Sequence, residues 1–464
     1  MLAENIQFLH TDREYMEKLS HKRVLIVGLG KTGLSCARYL CDKDIEVAIT
    51  DSREHPPALD ELQENYPDVA VFVGGFNFEA FKRATCLIVS PGISLQEPLI
   101  AEARVRGAEI IGDIELFARN ANAPVIAITG SNGKSTVTSL MGEMAKNANL
   151  DVRVGGNIGI PALDLLHEPC PDLYVLELSS FQLETTESLN AAAAVILNIS
   201  EDHMDRYRDI NDYTAAKAKV YFGSGTLIVN LDDERVMATV KLIRQGRKLS
   251  GFTEHKPEKN QFGICRINNE DTLCFENEKL LALSELKIKG KHNALNALAA
   301  LALGKEVNIP FDAMLATLKE FSGLPHRSQW IAENNGVTWF NDSKATNVGA
   351  TIAAVNGIDA DNIILIAGGQ AKGQDFSPLK EVVEKKVKQL ILFGEDAKIL
   401  NNELSSFTVV KYVKDMTEAV TYANVISKPG DVVLLSPACA SFDMFSGYEQ
   451  RGEEFIKVVK ELLQ

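Results

Sequence analysis

The sequence has no Cys-x-x-Cys pair, and its seven cysteines are an odd number. Both features argue against a disulfide framework or a thiol zinc site, and they read as reduced thiols of a cytoplasmic protein. It also lacks any apolar run approaching the about 18 residues that a membrane-spanning helix needs, so no membrane insertion is expected. The N-terminal stretch has no apolar core; Glu4, Asp12, Glu14 and Glu17 break it up, which speaks against a secretory leader. Positive charge is in deficit, with 48 Lys and Arg against 63 Asp and Glu and a net charge of −15. A general nucleic-acid or anionic-membrane partner would call for a basic face, so those classes are set aside. A locally positive cleft for a small anionic ligand is not excluded. Internal repeats and low-complexity segments are absent as well.

What is there is centred on Ala123 to Thr136, A-P-V-I-A-I-T-G-S-N-G-K-S-T. Val125 to Thr129 is a short β-branched run that reads as a buried strand. Gly130, Ser131, Asn132 and Gly133 form a tight turn, and Lys134, Ser135 and Thr136 open a helix running to about Asn149. A helix N-terminus after a glycine turn collects backbone N–H groups and the positive end of a dipole, which suits a phosphate. Lys134 would reach the outer phosphates and Ser135 would offer a hydroxyl to Mg²⁺. The turn is shorter than the general G-x-x-x-x-G-K-[ST] loop. An ordinary strand-to-helix turn with a surface lysine is the plain alternative.

At 464 residues the chain has room for roughly two to four domains, each with its own core. Near the N-terminus, K-R-V-L-I-V-G leads into Gly28-Leu29-Gly30-Lys31-Thr32-Gly33, a helix, a strand over Glu46 to Thr50, and Asp51. This G-x-G-x-x-G with a following acidic residue fits a diphosphate and ribose, whether of a dinucleotide or of a UDP-sugar. A strand over Cys86 to Val89 ends in Ser90-Pro91-Gly92. Strands alternating with helices predict a parallel α/β domain over residues 1–112. The central domain, 113–323, holds the phosphate loop, strands over Asp172 to Leu178, Ala192 to Ile199 and Thr226 to Asn230, and an alanine-rich helix over Ala294 to Leu303. Residues 245–290 are more polar and β-like. The third domain, 324–464, has strands over Val337 to Asn341, Asn362 to Ala367, Gln389 to Phe393 and Asp431 to Leu435. Three of these end in polar strings: Asp342 to Asn347, Gly368 to Gly373, and Ser436 to Ser441. In an open parallel sheet those ends line one crevice.

On the residues alone, Glu177 is either a hard oxygen ligand for Mg²⁺ or a carboxylate capping the next turn. His203, among Asp202 and Asp205, reads as an ordinary surface or core histidine, and Lys217, on a helix, as a lysine on a solvated face. The strings T-G-S-N-G-K-S, G-G-N-I-G, L-E-L-S-S-F-Q-L, N-I-S-E-D-H-M-D-R, Y-x-x-A-K, H-N-x-x-N, L-P-H-R, N-D-S-K-A-T-N and L-S-P-A-C-A-S-F-D change this reading. In this order, across all three inferred domains, they resemble the Mur ligases. The resemblance implies an α/β protein of three domains: an N-terminal Rossmann-like domain, a central P-loop-type mononucleotide-binding domain and a C-terminal Rossmann-like domain. G-G-x-x-K-G-x-D-F and the ending A-C-A-S-F-D-M-F-x-x-Y-E-Q-R-G are most similar to those family members that add D-glutamate to UDP-N-acetylmuramoyl-L-alanine.

The resemblance assigns further roles. Lys31, Thr32, Asp51, Ser52, Arg53 and Gly92 match positions around the uracil and diphosphate. Lys134, Asn157, His203 and Lys217 match catalytic positions. The ATP site takes Gly130 to Thr136 with Asn293, Asn296, Arg327 and Asp342. The metal takes Ser135, Glu177, His203 and a Lys217 carbamylated by CO₂, with two Mg²⁺ implied. D-Glutamate takes Lys344, Thr346, Lys372, Ser441 and Tyr448. The implied chemistry passes a phosphoryl group from ATP to the sugar's carboxylate, and the amine then displaces phosphate from the acyl phosphate. A cytoplasmic monomer is expected. An NAD oxidoreductase, a folylpolyglutamate synthase and a catalytically dead binding protein are the competing readings. The first would leave the second phosphate loop without a use, and the second would not be expected to carry the N-terminal nucleotide domain.

Overall fold

The computed structural model describes residues 12–243, 246–288, 290–358, 360 and 362–463. The first 11 residues, which include Glu4 of the expected leaderless N-terminus and the start of the expected first domain, lie outside the described residues.

Three sheets stand one after another along the chain. The first has five parallel strands, in the order Ala70–Phe72, Val47–Thr50, Val24–Val27, Cys86–Val89, Glu109–Ile111. The order reverses between Val24–Val27 and Cys86–Val89, and the crevice there is where a parallel sheet accepts a ligand. Gly28 and Gly92 follow these two strands. Gly33 is needed for packing: a Cβ there would lie 2.0 Å from the Gly28 carbonyl oxygen.

The central sheet has nine strands. Val125–Thr129 is wholly buried, and it runs parallel between Leu173–Glu177 and Ala193–Ile196. Such a strand can be continuously apolar because both faces are covered. The helices Lys134–Asn147 and Lys291–Glu306 pack on one face. The latter buries Ala297, Ala299, Ala300 and Ala302, small residues that let its backbone approach closely. The polar β-like region resolves into Gln261–Ile267, Glu270–Phe275 and Glu278–Ala282, antiparallel to one another at the sheet's edge.

The third sheet runs Gln329–Asn334, Val337–Asn341, Val432–Leu435, Ile363–Gly368, Val387–Phe393, Val409–Tyr412. All pairs are parallel except the first, so the expected open parallel sheet carries one antiparallel edge strand. The edge strands Gln329–Asn334 and Val409–Tyr412 are not legible from alternation: the first follows an irregular linker, and the second is short and half-exposed.

The cores divide unevenly. One apolar cluster runs from Leu19 and Ile26 through Phe117 to Tyr174 and Ile196, and so joins the first sheet to the central one. Clusters in the third sheet contain no residue of the other two among those described. All seven cysteines are free. No helix is long and apolar enough to cross a membrane among the described residues.

Candidate active site

The phosphate loop follows Val125–Thr129 directly. Gly133 sits at φ +84°, and a Cβ there would meet the Asn296 Oδ1 at 2.4 Å, so glycine is required for both conformation and space. Lys134 Nζ donates to the carbonyls of Gly130 and Ser131, each at 2.8 Å. Lys217, only 1% exposed, donates to the same Gly130 carbonyl at 2.9 Å. Two amines on one carbonyl repel if both are charged. Burial drives Lys217 well below its ordinary value, and the neighbouring Lys134 adds to this. Burial also lowers Lys134, which Glu177 and Asp202 partly oppose.

Glu177 closes the strand beside Val125–Thr129. Its Oε1 accepts from the Asn157 amide at 2.7 Å, and its buried Oε2 has no hydrogen-bond partner. An orphaned carboxylate oxygen is costly, and it suits a hard cation. Burial lowers the His203 imidazole to about 4 despite the carboxylate of Asp202, so the ring is neutral at pH 7, the form that ligates metals. Phe181 faces that ring at 4.7 Å between centroids, and the Arg206 guanidinium lies over Phe181 at 4.0 Å. No three His, Cys, Asp or Glu side chains gather among the described residues. The hydroxyl of Ser135 accepts from Arg327 at 2.7 Å.

The third domain meets this loop through polar groups. Asn347 exchanges amide hydrogen bonds with Asn132 at 3.2 and 3.3 Å. Lys372 Nζ pairs with Asp202 at 2.7 Å. Burial by itself would raise Asp202, but Lys372 and His203 hold it down to about 2. Asp202 and Asn347, to which the sequence pattern assigns no role, thus take part in the contact between domains. Nothing in local pattern could signal a pairing across 170 positions.

A cavity of about 1030 Å³ opens between the two domains, and Asn132, Gly133, Thr136, Asn293, Asn296, Arg327, Asp342 and Lys344 all line it. Asp342 accepts from Ser328 N and Ser436 Oγ, each at 2.9 Å, and burial raises its carboxyl to about 7. Lys344 lies 3.5 Å from the centre of the Tyr448 ring. Burial, then Arg327, lower it to about 8. Ser441 is buried in the loop that pairs with Gln370, and Thr346 is half-buried after Lys344. His203, Lys372 and Ala438 take left-handed φ values of 58°, 52° and 58°, a strain of order 1–3 kcal/mol each that tends to gather at working sites.

In the first domain, Asp51 is spent within the protein. Its two oxygens accept from Leu29 N, Arg53 N and the Arg53 guanidinium at 2.7–2.9 Å. Lys31, Ser52, Arg53 and Gly92 are exposed at the same crevice and Thr32 is half-buried. Arg206 ties this crevice to the centre by donating to the Pro91 and Ile93 carbonyls at 2.8 and 3.1 Å.

Family models match residues 22–112 (Mur ligase MurD-like, N-terminal domain), 128–304 (Mur ligase middle domain) and 326–439 (Mur ligase, glutamate ligase domain). The chain is 52% identical over 440 residues to the UDP-N-acetylmuramoylalanine--D-glutamate ligase of Nitrosococcus oceani, covering 95% of this chain and 96% of that one. It is 49% identical over 446 residues to the enzyme of the same name from Coxiella burnetii, covering 96% and 100%. Among solved structures it resembles the UDP-N-acetylmuramate-alanine ligase of Thermotoga maritima, with a TM-score of 0.59, 17% identity, and 95% and 100% of the two chains covered.

Proposed function

The chain belongs to the Mur ligase family, and from that premise we propose how its residues share the work of an ATP-dependent amide ligase. The protein adds D-glutamate to UDP-N-acetylmuramoyl-L-alanine, a step of peptidoglycan precursor synthesis. The proposed domain limits are 1–112 for the UDP-sugar, 113–323 for ATP and 324–464 for the amino acid. The cytoplasm is the proposed compartment. One copy of the chain carries every group that the reading uses.

A carboxylate is a poor acyl donor because oxide would have to leave. In this reading Lys134 and the loop N–H groups hold the outer phosphates of ATP, while Asn293, Asn296, Arg327 and Asp342 hold the rest of the nucleotide. Phosphoryl transfer to the sugar's carboxylate then makes phosphate the leaving group. Glu177, His203, Ser135 and a carbamylated Lys217 are the groups that would hold Mg²⁺, with two ions proposed. Bound there, the metal would neutralise charge on the transferring phosphoryl group. Lys217 favours carbamylation because its burial and the neighbouring Lys134 charge keep its amine neutral and nucleophilic. Asn157 keeps Glu177 aimed. Lys344, Lys372, Thr346, Ser441 and Tyr448 orient the amine of D-glutamate towards the acyl carbon.

The observation that supports this reading is the Lys372–Asp202 pair at 2.7 Å, because Lys372, the lysine proposed to hold the amino acid, then lies near the phosphate loop. ADP release with UDP-N-acetylmuramoyl-L-alanine and each amino acid in turn tests it. D-Glutamate should be strongly preferred over L-glutamate, L-alanine, L-lysine and diaminopimelate. Equal use of L-glutamate would refute the pocket.

A further inference from the structure

Arg451 lies on the helix Tyr448–Leu462, is fully buried, and has no carboxylate at ion-pair distance among the described residues. Its donors go to loops instead. Nε donates to Ser343 Oγ at 3.0 Å, and Nη2 to the carbonyls of Ser343 at 2.8 Å and Cys439 at 3.1 Å. Nη1 donates to the carbonyls of Cys439 at 3.1 Å, Ala440 at 3.3 Å and Gly368 at 3.4 Å. These acceptors sit at the C-terminal ends of three neighbouring strands, Val337–Asn341, Val432–Leu435 and Ile363–Gly368. The first loop goes on to Lys344, the second to Ser441 and the third to Lys372. Ser343 Oγ in turn donates to the Tyr448 carbonyl at 2.8 Å.

A buried guanidinium without a counter-ion is expensive, and an apolar side chain would fill the space at less cost to stability. Burial lowers its pKa only to about 10, so the charge persists at neutral pH. We infer that Arg451 is a positioning residue for D-glutamate: one planar fork ties three loops together and thereby sets the spacing of Lys344, Lys372, Ser441 and Tyr448 to a dicarboxylate. This rests on the D-glutamate pocket proposed above. The fork must be arginine, because five donors in fixed directions reach three loops, whereas a lysine places three donors on one atom.

The test is steady-state kinetics of Arg451→Lys, Ser343→Ala and Lys372→Ala, each with ATP, the UDP-sugar and D-glutamate varied, beside thermal melting. Small misplacements of binding groups are costly, so Arg451→Lys should raise the D-glutamate KM by about tenfold or more. The KM values for the other two substrates should stay within about twofold, and saturating D-glutamate should restore most of kcat. Ser343→Ala should show the same selectivity at smaller size. A purely structural arginine would lower the melting temperature and leave the D-glutamate KM unchanged, or shift all three KM values and kcat in parallel; either result overturns the inference. Should Arg451→Lys not fold, Ser343→Ala decides: a selective rise supports the inference and no rise overturns it. An unchanged D-glutamate KM in Lys372→Ala would mean that the pocket itself is misread, and the inference falls with it.

Discussion

Lys134 and Lys217 converge on one carbonyl, and their charges decide what each can do. Lys134 sits at the helix N-terminus, where a phosphate would keep it protonated. Lys134→Ala should fold normally and lose at least ~10²-fold in turnover, the scale of a lost preorganised charge partner; ADP release from the folded variant measures this. Lys217→Ala should be almost inactive and partly restored by acetate, a small carboxylate standing in for the carbamate. Full activity without acetate would remove the role. Lys344, lowered to about 8, gives a pH signature. In the proposed pocket it would hold a carboxylate only while protonated, so its contribution would fall as pH rises through 8. D-Glutamate affinity, read by calorimetry, should weaken between pH 7 and 9, and Lys344→Arg should flatten that fall because a guanidinium stays charged.

The elements act by what they present at their ends. In the first sheet, the turn at Gly28 and the turn at Ser90 flank the point where strand order reverses, and the Arg53 guanidinium projects beside it. A dinucleotide would fit the bare fingerprint equally well. The proposed UDP site predicts that UDP competes with the sugar substrate and that NAD does not bind at micromolar concentration; calorimetry with both separates the two. In the third sheet the same rule gathers Lys344, Lys372 and Ser441 from strands that are far apart in the chain. Lys372→Ala should raise the KM for D-glutamate far more than that for ATP.

At the scale of the whole molecule, the first and central domains share an apolar cluster, whereas the third is held to the centre by Lys372–Asp202, Asn132–Asn347 and Arg327–Ser135. Polar contacts of this kind open at lower cost than an apolar core, so we propose the third domain as the one that moves. Acyl phosphates hydrolyse, and closure would exclude water from the intermediate. Asp202→Ala should loosen the closed arrangement: small-angle scattering should give a larger radius of gyration than for the unaltered protein, with melting of the first two domains unchanged. An identical radius would show that the pair does not hold the domains.

The sequence by itself determined the strands and turns that carry chemistry, because each is a local matter. An apolar run such as Val125 to Thr129, a glycine such as Gly133 that must take φ +84°, and a helix behind it are legible from neighbours alone. So was the order of motifs that marks the family. Tertiary structure alone decided which charges meet. The sharing of Gly130 by Lys134 and Lys217, the orphaned oxygen of Glu177, the enclosure of Asp51 by Arg53 and Leu29, the pairing of Lys372 with Asp202 and the fork of Arg451 all depend on burial and on contacts between distant segments. Periodicity carries no record of such contacts, since one polar residue after a strand looks much like another until the sheet order places its neighbours.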